Sequence, residues 1–231
     1  MAPGAASSRL ARVLSKWGIC SRADAIRRVL SGAVRVNGRV CRDPGWPVDA
    51  GRDCVEVDGR RVGAASHVYL MLNKPRGLVT TASDERGRET VYRCLEESPW
   101  DGGGGGGPFA GIHLSAVGRL DKASEGMLLF TNDTLWAARL TDPAGAVEKE
   151  YHVQVRGLPG AGQLAEMGKG VEAGGERLAA RRVMLLRSGE RNAWLQVILD
   201  EGRNRHIRRM LEAVELEVLR LVRVRIGRLE L

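Results

Sequence analysis

Val117-Gly118-Arg119-Leu120-Asp121-Lys122-Ala123-Ser124-Glu125-Gly126-Met127-Leu128-Leu129-Phe130-Thr131-Asn132-Asp133 places one acid, Asp121, between two bases, Arg119 and Lys122, ahead of an unbroken apolar run at 127–130. Asn132-Asp133 ends that run with a turn signal. A short apolar run bounded by breakers reads as a fully buried strand. An ionisable group is therefore expected on a polar loop pinned to a core strand, where a rigid scaffold can hold a functional side chain. By pattern alone, an exposed acid in a surface salt-bridge loop fits the same residues.

Working outward, residues 135–140 read as a helix stopped by Asp142-Pro143, and 148–155 alternate as a strand does. A short helix is expected at 163–167, with strands at Val171, 183–186 and 194–199. A helix beginning after Asn204 would bring Arg205, Arg208 and Arg209 within one turn of each other. The last strand, 219–227, alternates basic and apolar residues. Upstream, 68–72 reads as a buried strand ended by Asn73-Lys74-Pro75-Arg76-Gly77 and resumed at 78–81. The six consecutive glycines at 102–107 formally contain G-x-G-x-x-G, but no capped helix follows. They read as a flexible surface loop.

At the start of the chain, Leu10, Val13, Leu14 and Trp17 recur at helical spacing with Arg9, Arg12 and Lys16 between them. Ser21-Arg22-Ala23-Asp24 reads as a capping box opening a second helix, which buries Ala25, Ile26, Val29 and Leu30 and closes at Gly32. Arg22, Arg27 and Arg28 fall on its exposed surface. Asn37-Gly38 and Asp58-Gly59 each separate two short strands and predict hairpins. Residues 1–62 hold twelve Lys/Arg and six Asp/Glu, so +6 of the net +8 lies in this small α+β module. Residues 63–66 read as a linker.

A charge this basic favours an anionic polymer or surface as partner. Hydrophobic content of 43% suits a globular chain, and 4% aromatics predicts an aliphatic core. Cys20, Cys41, Cys54 and Cys94 lack C-x-x-C spacing and the four histidines are scattered, so neither a metal site nor a disulfide framework is expected. No apolar run is long enough to span a membrane and no signal peptide is visible. Met1 to Ser8 look disordered. Cytoplasm is the expected location, or an organelle if the chain is a processed form.

The Gly-Arg-Leu-Asp at 118–121, followed by Ser124-Glu125-Gly126 and the apolar run, resembles the catalytic segment of the RsuA-type pseudouridine synthases, which modify ribosomal RNA. The family more often has Thr at the position of Ser124 and Leu at that of Met127. The 72–81 passage is similar to its first motif, Lys149-Glu150-Tyr151 to its Lys-x-Tyr motif, and 201–210 to its Glu-Gly-[Lys/Arg]-Asn-Arg-Gln-[Val/Ile]-Arg-Arg-Met motif, with His206 in place of Gln. Residues 10–57 resemble the small RNA-binding domain named after ribosomal protein S-four, with Ala23 where a second Arg is common.

The resemblance implies a catalytic set of Asp121, Tyr151 and Arg208. Asp121 would act at the anomeric carbon as nucleophile or as stabiliser of positive charge. Tyr151 would stack on the uracil, and Arg208 would keep the carboxylate ionised through a bidentate contact. Arg9, Arg12, Lys16, Arg22, Arg27, Arg28, Arg119, Arg203, Arg205 and Arg209 are the expected RNA contacts, gripping phosphates without reading sequence. No cofactor is required. The expected architecture is α+β: an RNA-binding domain at 8–62, then a synthase domain at 67–231 with a mixed, mainly antiparallel sheet and the site in a central cleft. The partner is ribosomal RNA, and the chain is expected to be monomeric. A non-catalytic RNA-binding ribosome-assembly factor is the alternative, against which the intact Asp121, Tyr151 and Arg208 set argues. A DNA-binding protein would need a recognition helix and a dimer element, and neither is visible.

Overall fold

The computed structural model describes residues 8–96 and 111–231; residues 1–7 and the glycine run at 102–107 lie outside the described residues. These divide into two compact units. One comprises 8–70, 111–115 and 130–135, the other 71–96, 116–129 and 136–231. The division differs from one drawn at the 63–66 linker because later segments are stitched into the first unit. His113 N donates to Gly18 O at 2.7 Å, and Asn132 accepts from Val68 N at 2.8 Å while donating to Ser66 O at 3.0 Å.

The first unit begins with β1 (Ser8–Arg9), α1 (Leu10–Lys16) and α2 (Arg22–Ser31), followed by β2 (Val34–Val36), β3 (Arg39–Val40), β4 (Pro47–Val48), β5 (Val55–Val57) and β6 (Arg60–Val62). An antiparallel sheet runs β3-β2-β5-β6, and β1 pairs with β4. Ser21 caps α2 by accepting from Asp24 N at 3.1 Å, and Gly32 ends it in the left-handed region at φ 83°. Both hairpins turn through two residues of positive φ, Asn37 and Gly38 at 52° and 79°, Asp58 and Gly59 at 49° and 76°. That is the twist-matched turn Asn-Gly and Asp-Gly favour. Leu10, Val13, Leu14, Ala25 and Val29 form the core with Val34, Val36, Val55 and Val57. Ile26 and Leu30, expected inside, are 36% and 55% exposed. The short α2 buries only its narrow seam at 25 and 29, and 26 and 30 lie about 100° round the helix from it.

The remaining elements are β7 (Tyr69–Lys74), α3 (Arg93–Glu96), β8 (Ser115–Val117), β9 (Glu125–Thr131), α4 (Thr134–Thr141), β10 (Lys149–Arg156), α5 (Ala161–Lys169), β11 (Val171–Ala173), β12 (Glu176–Leu178), β13 (Arg182–Ser188), β14 (Asn192–Leu199), α6 (His206–Ala213), β15 (Val218–Ile226) and β16 (Leu229–Glu230). An eight-stranded sheet runs β13-β14-β10-β15-β9-β7, with β16 on β15 and β8 on β9. It is mixed and mainly antiparallel: β13, β14, β10 and β15 pair antiparallel, and β15 meets β9 parallel. As expected, β9 is buried from Gly126 through Thr131. Each large apolar side chain so buried stabilises the unit by about 1.5–3 kcal/mol.

Gly126 is where β15 comes closest. Its φ is 98°, and a Cβ there would collide with the Arg223 carbonyl. Two expectations fail at the other end of the sheet. β7 is not buried: Tyr69 is 50% and Met71 51% exposed, because β7 ends the strand order. Residues 78–81 do not resume a strand; Val79 makes one isolated bridge to Thr90.

Candidate active site

The loop from Arg119 to Ser124 is held by its backbone. Six consecutive carbonyls each accept a hydrogen bond. Arg223 Nη1 donates to Arg119 O at 3.4 Å, Thr80 Oγ1 to Leu120 O at 2.8 Å, and Ser124 N to Asp121 O at 3.0 Å. Gly77 N donates to Lys122 O at 2.8 Å, Arg208 Nη2 to Ala123 O at 3.1 Å, and Lys74 Nζ to Ser124 O at 2.8 Å. Lys74 is fully buried and spends a second donor on Pro75 O at 2.9 Å. Burial pushes its ammonium pKa down, and nearby Cys94, Asp121 and Glu125 oppose that shift. The passage around Asn73-Lys74-Pro75 thus supports the loop from behind. Gly77 and Thr80 reach it because 75–81 leaves the sheet instead of continuing as a strand.

Fixing the backbone leaves the acid itself uncommitted. The Asp121 carboxylate takes part in no ion pair or side-chain hydrogen bond among the described residues. It lines a cavity of about 390 Å³ shared with Tyr151, Arg208, Lys149, Arg223, Leu199, Leu221 and Ile226. The cavity therefore joins Asp121, Tyr151 and Arg208, residues from three separate motifs. Their contacts differ from expectation in one respect. Arg208 makes no bidentate contact with Asp121; its Nη2 is committed to Ala123 O, and its Nε is buried without a partner among the described residues. Burial pushes the Arg208 pKa down, and the Asp121 charge pushes back, so the two act on each other through space.

Tyr151 sits on β10 opposite Val197 of β14 and Arg223 of β15, with its side chain buried. Lys149, two residues earlier, shares its face of the strand. The sequence reading assigns Arg223 no place at the site, and Lys149 only a place in the Lys-x-Tyr motif without a role. Arg223 is only 5% exposed, although it sits in an alternating basic and apolar strand that reads as having one solvated face. Pairing of Arg223 with Gly126 carries it beneath the loop, where Nε donates to Met127 O at 2.8 Å. It therefore bonds to a carbonyl on each side of Asp121.

The expected RNA contacts separate into groups. Arg119, Arg203 and Arg205 line the cavity. Arg205 is the N-cap of α6, exposed and in the left-handed region at φ 49°, and its carbonyl accepts from Arg209 N at 2.9 Å, closing the first turn that also holds Arg208. Arg203 contacts Glu201 at 3.1 Å and Arg177 O at 3.3 Å. Arg209 is not at the cavity: it pairs with Glu176 at 2.6 Å and donates to Ala173 O, tying α6 to the β11–β12 hairpin. In the first unit, Arg9, Arg12, Lys16 and Arg22 are exposed, whereas Arg27 pairs with Asp24 at 2.7 Å and Arg28 with Asp58 at 2.5 Å. His206 is buried in the cavity wall, where burial pushes its pKa down and Glu201 opposes the shift.

Residues 68–213 match the family described as RNA pseudouridylate synthase, and residues 8–54 match the S4 domain. The chain is 34% identical over 217 residues to ribosomal large subunit pseudouridine synthase B of Bacillus subtilis (strain 168), spanning 93% of this chain and 84% of that protein. It is 37% identical over 231 residues to an uncharacterized RNA pseudouridine synthase of Mycobacterium leprae (strain TN), spanning 99% of this chain and 86% of that protein. A crystal structure of a pseudouridylate synthase superposes with TM-score 0.61 at 26% identity, covering 97% of this chain and 90% of the other.

Proposed function

Because the chain belongs to the RNA pseudouridylate synthase family, we propose that it isomerises a specific uridine of ribosomal RNA to pseudouridine, with Asp121 as the catalytic carboxylate. One observation carries the residue assignment. The Asp121 loop is bonded at six successive carbonyls, yet among the described residues its carboxylate stands unpaired in a cavity. A fixed, unpaired anion suits a site where positive charge develops during reaction. Ribosomal RNA as the substrate is supported by the printed name of the Bacillus relative and by the S4 match.

In the reaction the bond from uracil N1 to ribose C1′ breaks, and its electron pair leaves with the base. C1′ becomes electron-poor and faces Asp121, which acts as nucleophile or as electrostatic partner. The base turns, C5 bonds to C1′, the C5 proton is lost to a base and N1 takes up a proton, so atoms and charge balance as an isomerisation. Tyr151 stacks on the uracil. Arg208 holds the loop through Ala123 O and supplies a balancing charge. The target uridine must leave its stack, at a cost of a few kcal/mol. Arg119, Arg203 and Arg205 at the cavity, with the exposed bases of α1 and α2, offset that cost through phosphate contacts. The protein acts as a monomer wherever its ribosomal RNA is found, in the cytoplasm or an organelle.

The test is pseudouridine mapping in ribosomal RNA from cells with and without the gene, repeated with Asp121→Asn. Loss of one site in both strains is expected, with RNA binding by purified Asp121→Asn kept within a few-fold. Turnover by the Asn variant near the wild-type rate would remove Asp121 from the role.

A further inference from the structure

Two cations flank Tyr151 on the cavity floor, and the mechanism above leaves both without a task. Lys149 lies two residues before Tyr151 on the same face of β10, and Arg223 lies opposite Tyr151 on β15. Arg223 uses Nε and Nη1 on backbone carbonyls, but its Nη2 is buried with no acceptor among the described residues. The Lys149 side chain makes no hydrogen bond or ion pair among the described residues. Asp200, whose charge it feels, pairs instead with Arg181 at 3.7 Å. Burial and the neighbouring Arg223 both push the Lys149 pKa down, the mark of two cations kept close together without an anion between them. Cations placed so at a cavity wall cost free energy unless an anion arrives.

We propose that Lys149 and Arg223 form a leaving-group subsite that takes the carbonyl edge of the uracil anion released when the N1–C1′ bond breaks. The inference rests on the synthase reading above and deepens it. The electron pair of the broken bond is spread over N1, O2 and O4 of the base. A uracil stacked on Tyr151 presents its edges to the groups on either side of that ring, and these are Lys149 and Arg223. Asp121 then meets the positive sugar while the cation pair meets the negative base. Both charges appear only as the bond breaks, so the stabilisation falls on the transition state and not on RNA binding.

Arg223 also clamps the Asp121 loop, so its substitution would mix two effects; Lys149 isolates the subsite. The experiment compares wild type, Lys149→Met and Lys149→Arg on an RNA carrying uridine or 5-fluorouridine at the target. Fluorine withdraws electrons and makes the base a better leaving group, and its carbon cannot lose a proton, so consumption of 5-fluorouridine reads the steps through cleavage. On uridine, Lys149→Met should lower kcat by about 10²–10³-fold with KM little changed, a loss of the size seen on removing one oxyanion donor. Lys149→Arg should recover most of it. On 5-fluorouridine the Lys149→Met loss should shrink by at least about tenfold, because the better leaving group needs less help. Equal losses on both bases, or a loss confined to KM, would overturn the subsite and leave the synthase reading standing. Wild-type protein that makes no pseudouridine would overturn both.

Discussion

Arg208 donates through Nη2 to the carbonyl of Ala123, 3.1 Å away, and not to the carboxylate of Asp121 two residues earlier. The guanidinium therefore fixes where the acid stands and leaves its oxygens open. Arg208→Ala removes the donor to Ala123 O and a balancing charge for Asp121 together. A hydrogen bond from a charged group is worth about 1.5–3 kcal/mol. The expected result is a fall in kcat of about 10–100-fold with RNA affinity nearly unchanged. Arg208→Lys should recover only part, since an ammonium lacks the planar reach of the fork. Arg209→Ala should instead lower the melting temperature, because that side chain joins α6 to Glu176 and Ala173. Steady-state kinetics beside thermal unfolding of both variants separates the two roles; equal effects on kcat and stability from either would refute the distinction.

Gly126→Ala should be among the most destabilising single-carbon additions in the chain. Its φ of 98° disfavours any Cβ, and the added carbon would strike backbone of β15, which cannot rotate aside. A loss of about 3 kcal/mol or more is expected, combining strain with overpacking. Gly38 offers the comparison: φ is 79°, but a Cβ there meets nothing within 4 Å. Gly38→Ala should cost only about 1 kcal/mol, the conformational part alone. Chemical denaturation of the two variants measures both.

The bases of the N-terminal helices should not contribute equally to RNA binding. Arg27 and Arg28 are neutralised by Asp24 and Asp58, while Arg9, Arg12, Lys16 and Arg22 carry no ion pair among the described residues. Replacing the second group with Gln should flatten the plot of log affinity against log salt by about 0.7–0.9 for each phosphate that is no longer neutralised. Replacing Arg27 and Arg28 should change the slope less. Filter binding across a salt series decides between the groups.

Two histidines, His206 fully and His113 partly buried, make stability sensitive to acid. Burial lowers the folded-state pKa of each, so each binds its proton more readily when unfolded. Their contribution is complete above the unfolded value of about 6.5 and is lost as pH falls from there through the lowered folded value. His206→Gln should therefore flatten the decline of melting temperature below about pH 6.5 while leaving stability at pH 8 nearly unchanged. A variant whose melting temperature falls as steeply as that of wild type between about pH 6.5 and 5 would exclude His206 as a contributor.

Local chemistry written in consecutive residues was legible directly. Ser21 with Asp24, Gly32, Asn37-Gly38 and Asp58-Gly59 act within a few residues of themselves, so caps and hairpins follow from the order of side chains. The apolar run at 127–130 reads as a buried strand from its bounding breakers, and β9 is buried there. Asp121, Tyr151 and Arg208 were singled out by the resemblance of three separate motifs, and all three line one cavity.

What the tertiary structure alone decided is who serves that loop. Its carbonyl donors Lys74, Gly77, Thr80, Arg208 and Arg223 come from segments as many as 104 residues away, and no local pattern encodes a partner at that range. Strand order made Tyr69 and Met71 exposed, since an edge strand lacks a neighbour on one side. The same order buried Arg223, whose alternating strand reads as half solvated until parallel pairing with Gly126 places it under the Asp121 loop. Periodicity along a chain tells which side chains share a face, but only the neighbouring strand decides whether that face meets water.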